Sequence, residues 1–409
     1  MTNPNGKTVL FTGAGAVIPW GAPTSAWITK LIREDRIFLS IDGEPLGEWI
    51  YKKLTSHYKK DPETVNFETI LNVLEYLITY YSSRDLESIA AYKNIMPAFF
   101  DEKRDFDTIL SFDRIYKKEN YSWYSDPVPG VFFSSWRDNR AFFGSVFRRF
   151  IDIVIDEVER YSKSVEVATE LNGLLNEFLL AEESILRCYT TNYDRLVPSV
   201  FNGEMFEGFS EKDGELKFDG AAVLCDAMGN VYYNLHGSAH YEMDFPDNVK
   251  LNKTDFIRGF GSGSGSKADQ DSRIIYHSNI ISGFNKVGRI LANPYSQFYH
   301  RFCQDCLEAD RLYIVGYSFG DLHLNMAMRG AMSVNKKLRL TAIDYILMPG
   351  EKLDVSEYDW IDFKDKSSRH IVGDYKIREV TTVGDVGRVR LYRKGFERFL
   401  RLREWKKRF

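Results

Sequence analysis

Four short apolar runs along the chain each end in small or polar residues. They read TVLFTGAG (8–15), ILRCYTTNYDRL (185–196), YYNLHGS (232–238) and LYIVGYSFGDLHLN (312–325). A short apolar run that stops at polar residues is typical of a strand buried in a parallel sheet. Ligands of open α/β sheets bind beyond the carboxyl ends of the strands. The pattern therefore predicts an α/β fold with a ligand crevice along one edge of a mostly parallel sheet.

The stretch between the first two runs has a different period. Apolar residues recur at helical spacing in 66–81, 140–161 and 168–183, which predicts amphipathic helices. The aromatic and proline-containing stretch 121–135 predicts a loop between them. Residues 45–182 are therefore predicted to be a helical insertion.

The elements after residue 195 are shorter. A helix is expected at 196–201, then short β runs and glycines up to Val231, a helix within 281–312 and a strand at 337–347. Residues 388–409 contain ten Lys and Arg and an apolar stripe of Phe396, Phe399 and Leu400. This stretch predicts a basic amphipathic helix that docks on its own domain. Contact with a partner or with nucleic acid is the alternative.

Composition limits the function classes. The 409 residues suffice for two to three domains of ~150 residues, and a net charge of -4 does not favour a general polyanion binder. No signal peptide and no apolar run of the ~20 residues that cross a bilayer are present. The four cysteines favour reduced thiols in a cytoplasm. A single CxxC, Cys303 with Cys306, lacks the four ligands of a structural zinc site.

The polar residues at the strand ends suggest chemistry. Asn192 offers an amide that donates and accepts hydrogen bonds, and Asp194 a fixed negative charge; an Asx-turn closing the strand is the plain alternative. His236 and His240 have a metal-ligand spacing only if they are helical, and Gly237 argues against a helix there.

The first strand runs into a glycine loop. Gly13 and Gly15 suit a phosphate cradle between a strand and a helix, although the GxGxxG spacing is absent, and a tight turn is the alternative. Asp42, which precedes Gly43, is read as a turn residue rather than a ribose ligand. Residues 258–273 have the composition of a flexible loop, and whether the Gly-Ser run at 261–266 is native stays open.

The four strand ends occur in an order that resembles a known family. GAGA, TTNYD, LHGS and GYSFGDLHLN, with the lead-in SGFNKVGRILANPYSQFY, resemble the bacterial sirtuin-like NADases of antiviral defence systems. The length and the lack of a second effector domain are most similar to the subunit that assembles with a HerA-type hexameric ATPase. The resemblance implies a doubly wound, Rossmann-like sheet with a helical lid.

The resemblance also implies domains and site residues. The expected NAD-binding domain is discontinuous, 1–44 and 183–386, with the helical insertion at 45–182 and a basic segment at 387–409. The expected catalytic residues are Asn192, His236 and Asp194. The expected NAD-binding residues are Gly13, Ala14, Gly15, Thr191, Gly316, Ser318, Asp321, His323 and Asn325.

Two positions depart from the family pattern. Val17 stands where relatives often have serine, and the paired-cysteine zinc ribbon of protein-deacylating sirtuins is missing between LHGS and GYSFGD. The second departure weakens the case for lysine deacylation.

The function expected from these residues is hydrolysis of NAD as a substrate, without a metal, to nicotinamide and ADP-ribose. It would deplete NAD in abortive infection, under the control of the ATPase partner, in a cytoplasmic homo-oligomer that meets nucleic acid only through that partner. The alternatives are a non-catalytic module that senses NAD or ADP-ribose, and a deacylase or ADP-ribosyltransferase.

Overall fold

The computed structural model describes residues 6–39, 43–57, 65–82, 136–181, 184–225, 229–244, 248–258, 267–268, 274–275, 278–282, 290–344, 383–386, 388–392 and 394–406. The predictions for Asp42, for the loop at 121–135 and for most of 258–273 lie outside these residues.

The described strands and helices follow the alternation that the apolar pattern predicts. The strands are β1 (Lys7–Thr12), β2 (Ile185–Thr190), β3 (Phe209–Lys212), β4 (Glu215–Phe218), β5 (Val231–Asn234), β6 (Tyr241–Asp244), β7 (Asn248–Leu251), β8 (Lys267–Ala268), β9 (Ile274–Ile275), β10 (Arg311–Val315), β11 (Arg339–Ile343), β12 (Val383–Val386) and β13 (Val389–Tyr392). The helices are α1 (Ser25–Glu34), α2 (Leu46–His57), α3 (Phe67–Ser82), α4 (Trp136–Val167), α5 (Thr169–Ala181), α6 (Leu196–Val200), α7 (Gly220–Leu224), α8 (Tyr295–Glu308), α9 (Leu322–Val334) and α10 (Phe396–Arg401).

A seven-stranded sheet organises the chain, in the order β12–β13–β11–β10–β1–β2–β5. All neighbours are parallel except β12 and β13, which pair antiparallel at one edge. From β1 the chain moves outward to β2 and β5, and then returns to β10 on the other side of β1. The strand order therefore reverses between β1 and β10, which is where open α/β sheets bind ligands.

Both faces of this sheet are covered, which explains why its strands are apolar throughout. Val9 and Phe11 of β1 pack in the core with α8 and α9. Leu10, between them, packs in the opposite core with α1, α3, α4 and α5. Successive side chains of a strand point to opposite faces, so a strand covered on both faces must be apolar at every position. The predicted doubly wound α/β fold is confirmed.

The helical insertion packs directly on the sheet. Helices α3 and α4 share one core with Leu10 and Val315 of the central strands. Helix α4 begins earlier and ends later than the predicted 140–161, because its apolar spacing continues through Tyr161 and Val165. The described helices agree with a helical insertion, while its domain boundaries stay a prediction.

The C-terminal stretch corrects the sequence prediction in part. The expected helix from 388 onward was wrong for its first residues, since β13 extends the sheet and Gly395, at φ 78°, turns the chain before α10. Alternation along a strand and a stripe along a helix overlap in such a short segment. The docking on its own domain is confirmed: Phe396, Phe399 and Leu400 are buried, and the Phe399 ring lies 5.8 Å from Phe178 of α5.

A second sheet, β3–β4–β7–β6, lies between β2 and α8 in the chain. Its first hairpin turns at Asp213 and Gly214, which both have positive φ, as a two-residue hairpin turn requires. None of the helices in the described ranges is long and apolar enough to cross a membrane.

Candidate active site

A cavity of about 550 Å³ lies where the strand order reverses. The loops that follow β1, β2 and β10 begin at one level, because Thr12 pairs with both Thr190 and Val315. These loops form the floor, and α1, α3 and α4 contribute the opposite wall. The volume falls within the roughly 300–1,000 Å³ of small-molecule sites.

The glycines of the floor are required by contacts between two loops. A Cβ on Gly13 would lie 2.7 Å from the Gly316 carbonyl oxygen, and one on Gly15 would lie 2.8 Å from the Gly316 Cα. The Gly13 and Gly15 N–H groups donate to the carbonyls of Val315 and Gly316, at 2.9 and 2.8 Å. The predicted cradle differs accordingly: two of its amides already bond to the β10 loop, and two short 3-10 turns precede α1.

Asn192 lies on the floor with one end of its amide fixed. Its Nδ2 donates to the Gly13 carbonyl at 3.0 Å, and its backbone N–H donates to the Thr190 hydroxyl at 3.0 Å. Only the amide nitrogen can donate to a carbonyl, so the orientation of the amide is settled. Among the described residues no donor binds the Asn192 amide oxygen, and the side chain is 8% exposed on the cavity wall.

Asp194 follows on the same turn and is 3% exposed. Its Oδ1 accepts the Leu196 N–H at 2.8 Å, which fixes the start of α6. Burial raises the pKa of Asp194, while hydrogen bonding to the Tyr161 hydroxyl and to the Leu196 N–H opposes that rise. The carboxyl is thus held by its own turn and by the helical insertion.

A residue that the sequence did not single out clamps this turn. The Asn234 Nδ2, at the end of β5, donates to the carbonyls of both Asn192 and Asp194, at 3.0 Å each. The Tyr232 hydroxyl donates to the Asp194 carbonyl at 3.0 Å. The end of one strand therefore fixes the loop that follows its neighbour.

His236 reaches the cavity from the far side of this clamp and is 2% exposed. Its Nε2 lies 3.9 Å from Oδ1 of Asp321, the residue before α9. The Asp321 N–H donates in turn to the Tyr317 hydroxyl at 3.1 Å. A carboxylate at this distance stabilises an imidazole that has taken up a proton.

His240 does not join His236. Gly237, at φ 86°, breaks any helical register between them, and the His240 Nδ1 lies 3.1 Å from the carbonyls of Asn252 and Asp255. Burial, and then the nearby Arg195 charge, lower the pKa of His240 to about 4. The described residues include no cluster of three or more His, Cys, Asp or Glu side chains that could hold a metal.

Most of the predicted site residues meet at this cavity. The wall includes Asn192, Asp194, His236, Ala14, Gly15, Thr191, Gly316, Ser318 and Asp321. Gly13 lies behind the wall, bonded to Asn192. Val17 is also on the wall, so an apolar group stands where relatives often have serine.

Two predicted contacts are not on the wall. The Asn325 side chain is buried and its Nδ2 donates to the Phe319 carbonyl at 2.6 Å, so its amide holds the loop before α9 instead. His323 lies behind His236, with 6.1 Å between the ring centroids. Both follow the turn of α9 away from the cavity.

The charges around the cavity are mostly negative. Four carboxylates line it, and none of the described lining residues is a Lys or Arg; the carboxylates are Glu68, Asp194, Asp321 and Asp344. Such a wall favours the positively charged end of a ligand. Glu68 and Tyr161 come from helices whose sequence shows only an amphipathic pattern, so no local signal marks them.

A family model described as a SIR2-like domain matches residues 187–371. The chain carries a SIR2-like domain. The domain is sirtuin-like and implies use of NAD by an NAD-dependent enzyme. The match begins within β2, so β1 and the glycine loop precede it. No curated protein matches the chain.

Proposed function

We propose that this sirtuin-like chain is an NAD glycohydrolase that releases nicotinamide and ADP-ribose. The observation that supports it best is the shared cavity: Asn192 and His236, far apart in sequence, line one wall of about 550 Å³. A binding module would need neither an imidazole nor an amide at that point.

The charge of the wall suggests how NAD lies in it. The nicotinamide ring of NAD is cationic, and the carboxylates of Asp194 and Asp321 line the same part of the cavity as His236. This arrangement favours the nicotinamide end of NAD near His236, with the phosphates toward the glycine loop.

The reaction needs little acid catalysis. When the bond between the ribose C1′ and the nicotinamide nitrogen breaks, its electron pair neutralises the ring, which leaves without a proton. The sugar passes through an oxocarbenium-like state, whose positive charge the Asp194 carboxylate offsets. Water adds to C1′ and its proton goes to His236, next to Asp321. The Asn192 amide oxygen, which faces the cavity, orients a ribose hydroxyl or that water.

The biological part of the proposal rests on the resemblance of the four strand-end motifs. We propose that the activity depletes NAD during phage infection and that a HerA-type hexameric ATPase controls it within a homo-oligomeric, cytoplasmic assembly. NAD is the substrate, and no metal takes part in the proposed reaction.

The test is chromatography of NAD incubated with the protein, alone and with its ATPase partner. The wild type should form nicotinamide and ADP-ribose in at least one of the two states. His236→Ala should reduce the rate by about 10²–10⁴-fold, as loss of a general base does, and Asn192→Ala should reduce it strongly as well.

Matched controls separate the site from general damage. His300 and Asn202 are exposed, so His300→Ala and Asn202→Ala should keep wild-type rates. Nicotinamide release that persists in both site variants would remove the site assignment. Tight NAD binding with no release in either state would favour a sensing module, and transfer of ADP-ribose or removal of an acyl group would favour the transferase or deacylase.

A further inference from the structure

A second cavity, of about 660 Å³, lies behind the first. Tyr161 and Asp194 line both cavities. The two side chains are almost fully buried, 2% and 3% exposed, so together they form the partition between the two spaces.

Tyr161 belongs to the helical insertion, and Asp194 belongs to the sheet. On α4, Val154, Val158 and Tyr161 lie on one helical face and line the substrate cavity. The same helix contacts its surroundings through Glu157, which accepts the Trp27 Nε1–H of α1 at 3.0 Å, and through Asp156, which pairs with Arg258 at 2.8 Å. Any shift of this helix therefore moves the Tyr161 hydroxyl relative to the strand-end turn.

The Tyr161 hydroxyl and the Asp194 carboxyl interact electrostatically. Burial, followed by the Asp194 charge and hydrogen bonding to it, raises the pKa of Tyr161 well above its usual value. The hydroxyl does not meet the geometry of a standard hydrogen bond. Ligand-free sites often hold such pairs loosely and tighten them when the ligand binds.

The other groups around Asp194 are already committed. The Leu196 N–H binds Oδ1, and the Tyr232 hydroxyl of β5 binds the Asp194 carbonyl rather than its carboxyl. The neighbouring Arg195 pairs with Glu207 at 2.7 Å. His236 faces Asp194 only across the cavity. From the helical insertion, the Tyr161 hydroxyl is the group directed at this carboxyl.

We propose that Tyr161 is the positioning residue that holds the Asp194 carboxylate in place and connects the helical insertion to the strand-end turn. The inference rests on the proposed NAD hydrolysis, in which Asp194 must be ionised to offset the developing charge. Movement of α4, for example when a partner docks, would then change the activity through this one pair.

The test is Tyr161→Phe, which removes only the hydroxyl. At neutral pH, kcat should fall about 10- to 100-fold with little change in KM, the range expected from losing one hydrogen bond to a charged group. The hydroxyl lowers the pKa of Asp194, so the acid limb of the kcat/KM profile should move to higher pH in the variant. In an Asp194→Asn background, Tyr161→Phe should have no further effect.

Tyr392→Phe is the matched control, because Tyr392 is equally buried in the sheet and its hydroxyl lacks a hydrogen-bond partner. Its kinetics and acid limb should equal those of the wild type. An unshifted acid limb in Tyr161→Phe, or an effect that persists in Asp194→Asn, would overturn the proposal.

The pH dependence of unfolding tests the pair without catalysis. Burial raises the pKa of Asp194 in the folded state, so its stabilising proton is lost as pH rises through that pKa. Without the Tyr161 hydroxyl this loss should extend to higher pH. The free energy of unfolding lost by Tyr161→Phe should therefore grow with pH, and only when Asp194 is present. A wild type that shows this behaviour but never releases nicotinamide would reject the proposed function and retain the contact; a pH-independent difference would reject the contact.

Discussion

The two carboxylates at the strand ends have different surroundings. Asp194, expected to support catalysis, bonds to the start of α6 and faces Tyr161. Asp321, expected on the adenosine side, lies 3.9 Å from the His236 Nε2. The sequence places both acids at strand ends but cannot tell which one faces the imidazole, since that depends on the paths of the loops.

Replacing Asp321 by Asn tests its role beside His236. If Asp321 stabilises the protonated imidazole, kcat should fall by roughly 5- to 10³-fold, because a charge pair about 4 Å apart contributes about 1–4 kcal/mol. KM for NAD should stay close to the wild-type value in steady-state assays of nicotinamide release. A raised KM with unchanged kcat would instead support direct contact with the substrate, as the motif resemblance implied.

At the scale of elements, two loops are joined backbone to backbone. Gly316 has φ 58°, and a Cβ at this position would lie 2.1 Å from the Ala16 N. The glycines therefore bring the ends of β1 and β10 together, whatever they also do for phosphate. The sequence shows the glycines, but it does not show that their nearest neighbours are each other.

Gly316→Ala should lower the free energy of unfolding by about 2–4 kcal/mol, because it adds left-handed strain and a backbone clash. Gly330→Ala is the matched control: Gly330 is within α9 and nothing lies within 4 Å of an added Cβ, so a gain of about 0.5–1 kcal/mol is expected. Urea unfolding of the two variants compares them directly. Equal stabilities would show that the loops adapt and that the contact is not tight.

Much of the architecture could be predicted because its signals are local. Apolar runs, their polar ends and the helical periods of α3, α4 and α5 depend on neighbouring residues, and the structure agrees with them. Three features depend on distant contacts and could not be predicted: β13, the clamp at Asn234, and the contact of Tyr161 with Asp194. Tyr161 in particular reads as one more core aromatic on an amphipathic helix.

At the scale of the whole molecule, the C-terminal segment completes one of the two cores. The Phe399 ring lies 5.8 Å from Phe178, and Trp405 lies 5.4 Å from the same ring. This aromatic cluster joins α10, after the last strand, to α5, which precedes β2.

Phe399→Ala should therefore lower the free energy of unfolding by about 3–5 kcal/mol, the usual effect of emptying a buried phenylalanine site. Leu402→Ala, three residues later and half exposed, should change it by less than about 1 kcal/mol. Chemical denaturation measures both. A small effect at Phe399 would mean that the segment is not part of the cooperative fold.

The central place of β1 has a consequence for anyone who divides this protein. The family match starts at residue 187, yet β1 is hydrogen-bonded to both β2 and β10. A fragment limited to the match would expose two raw sheet edges where one strand is missing, and such edges promote aggregation. A short peptide carrying the first dozen residues is thus the natural complement for a truncated version.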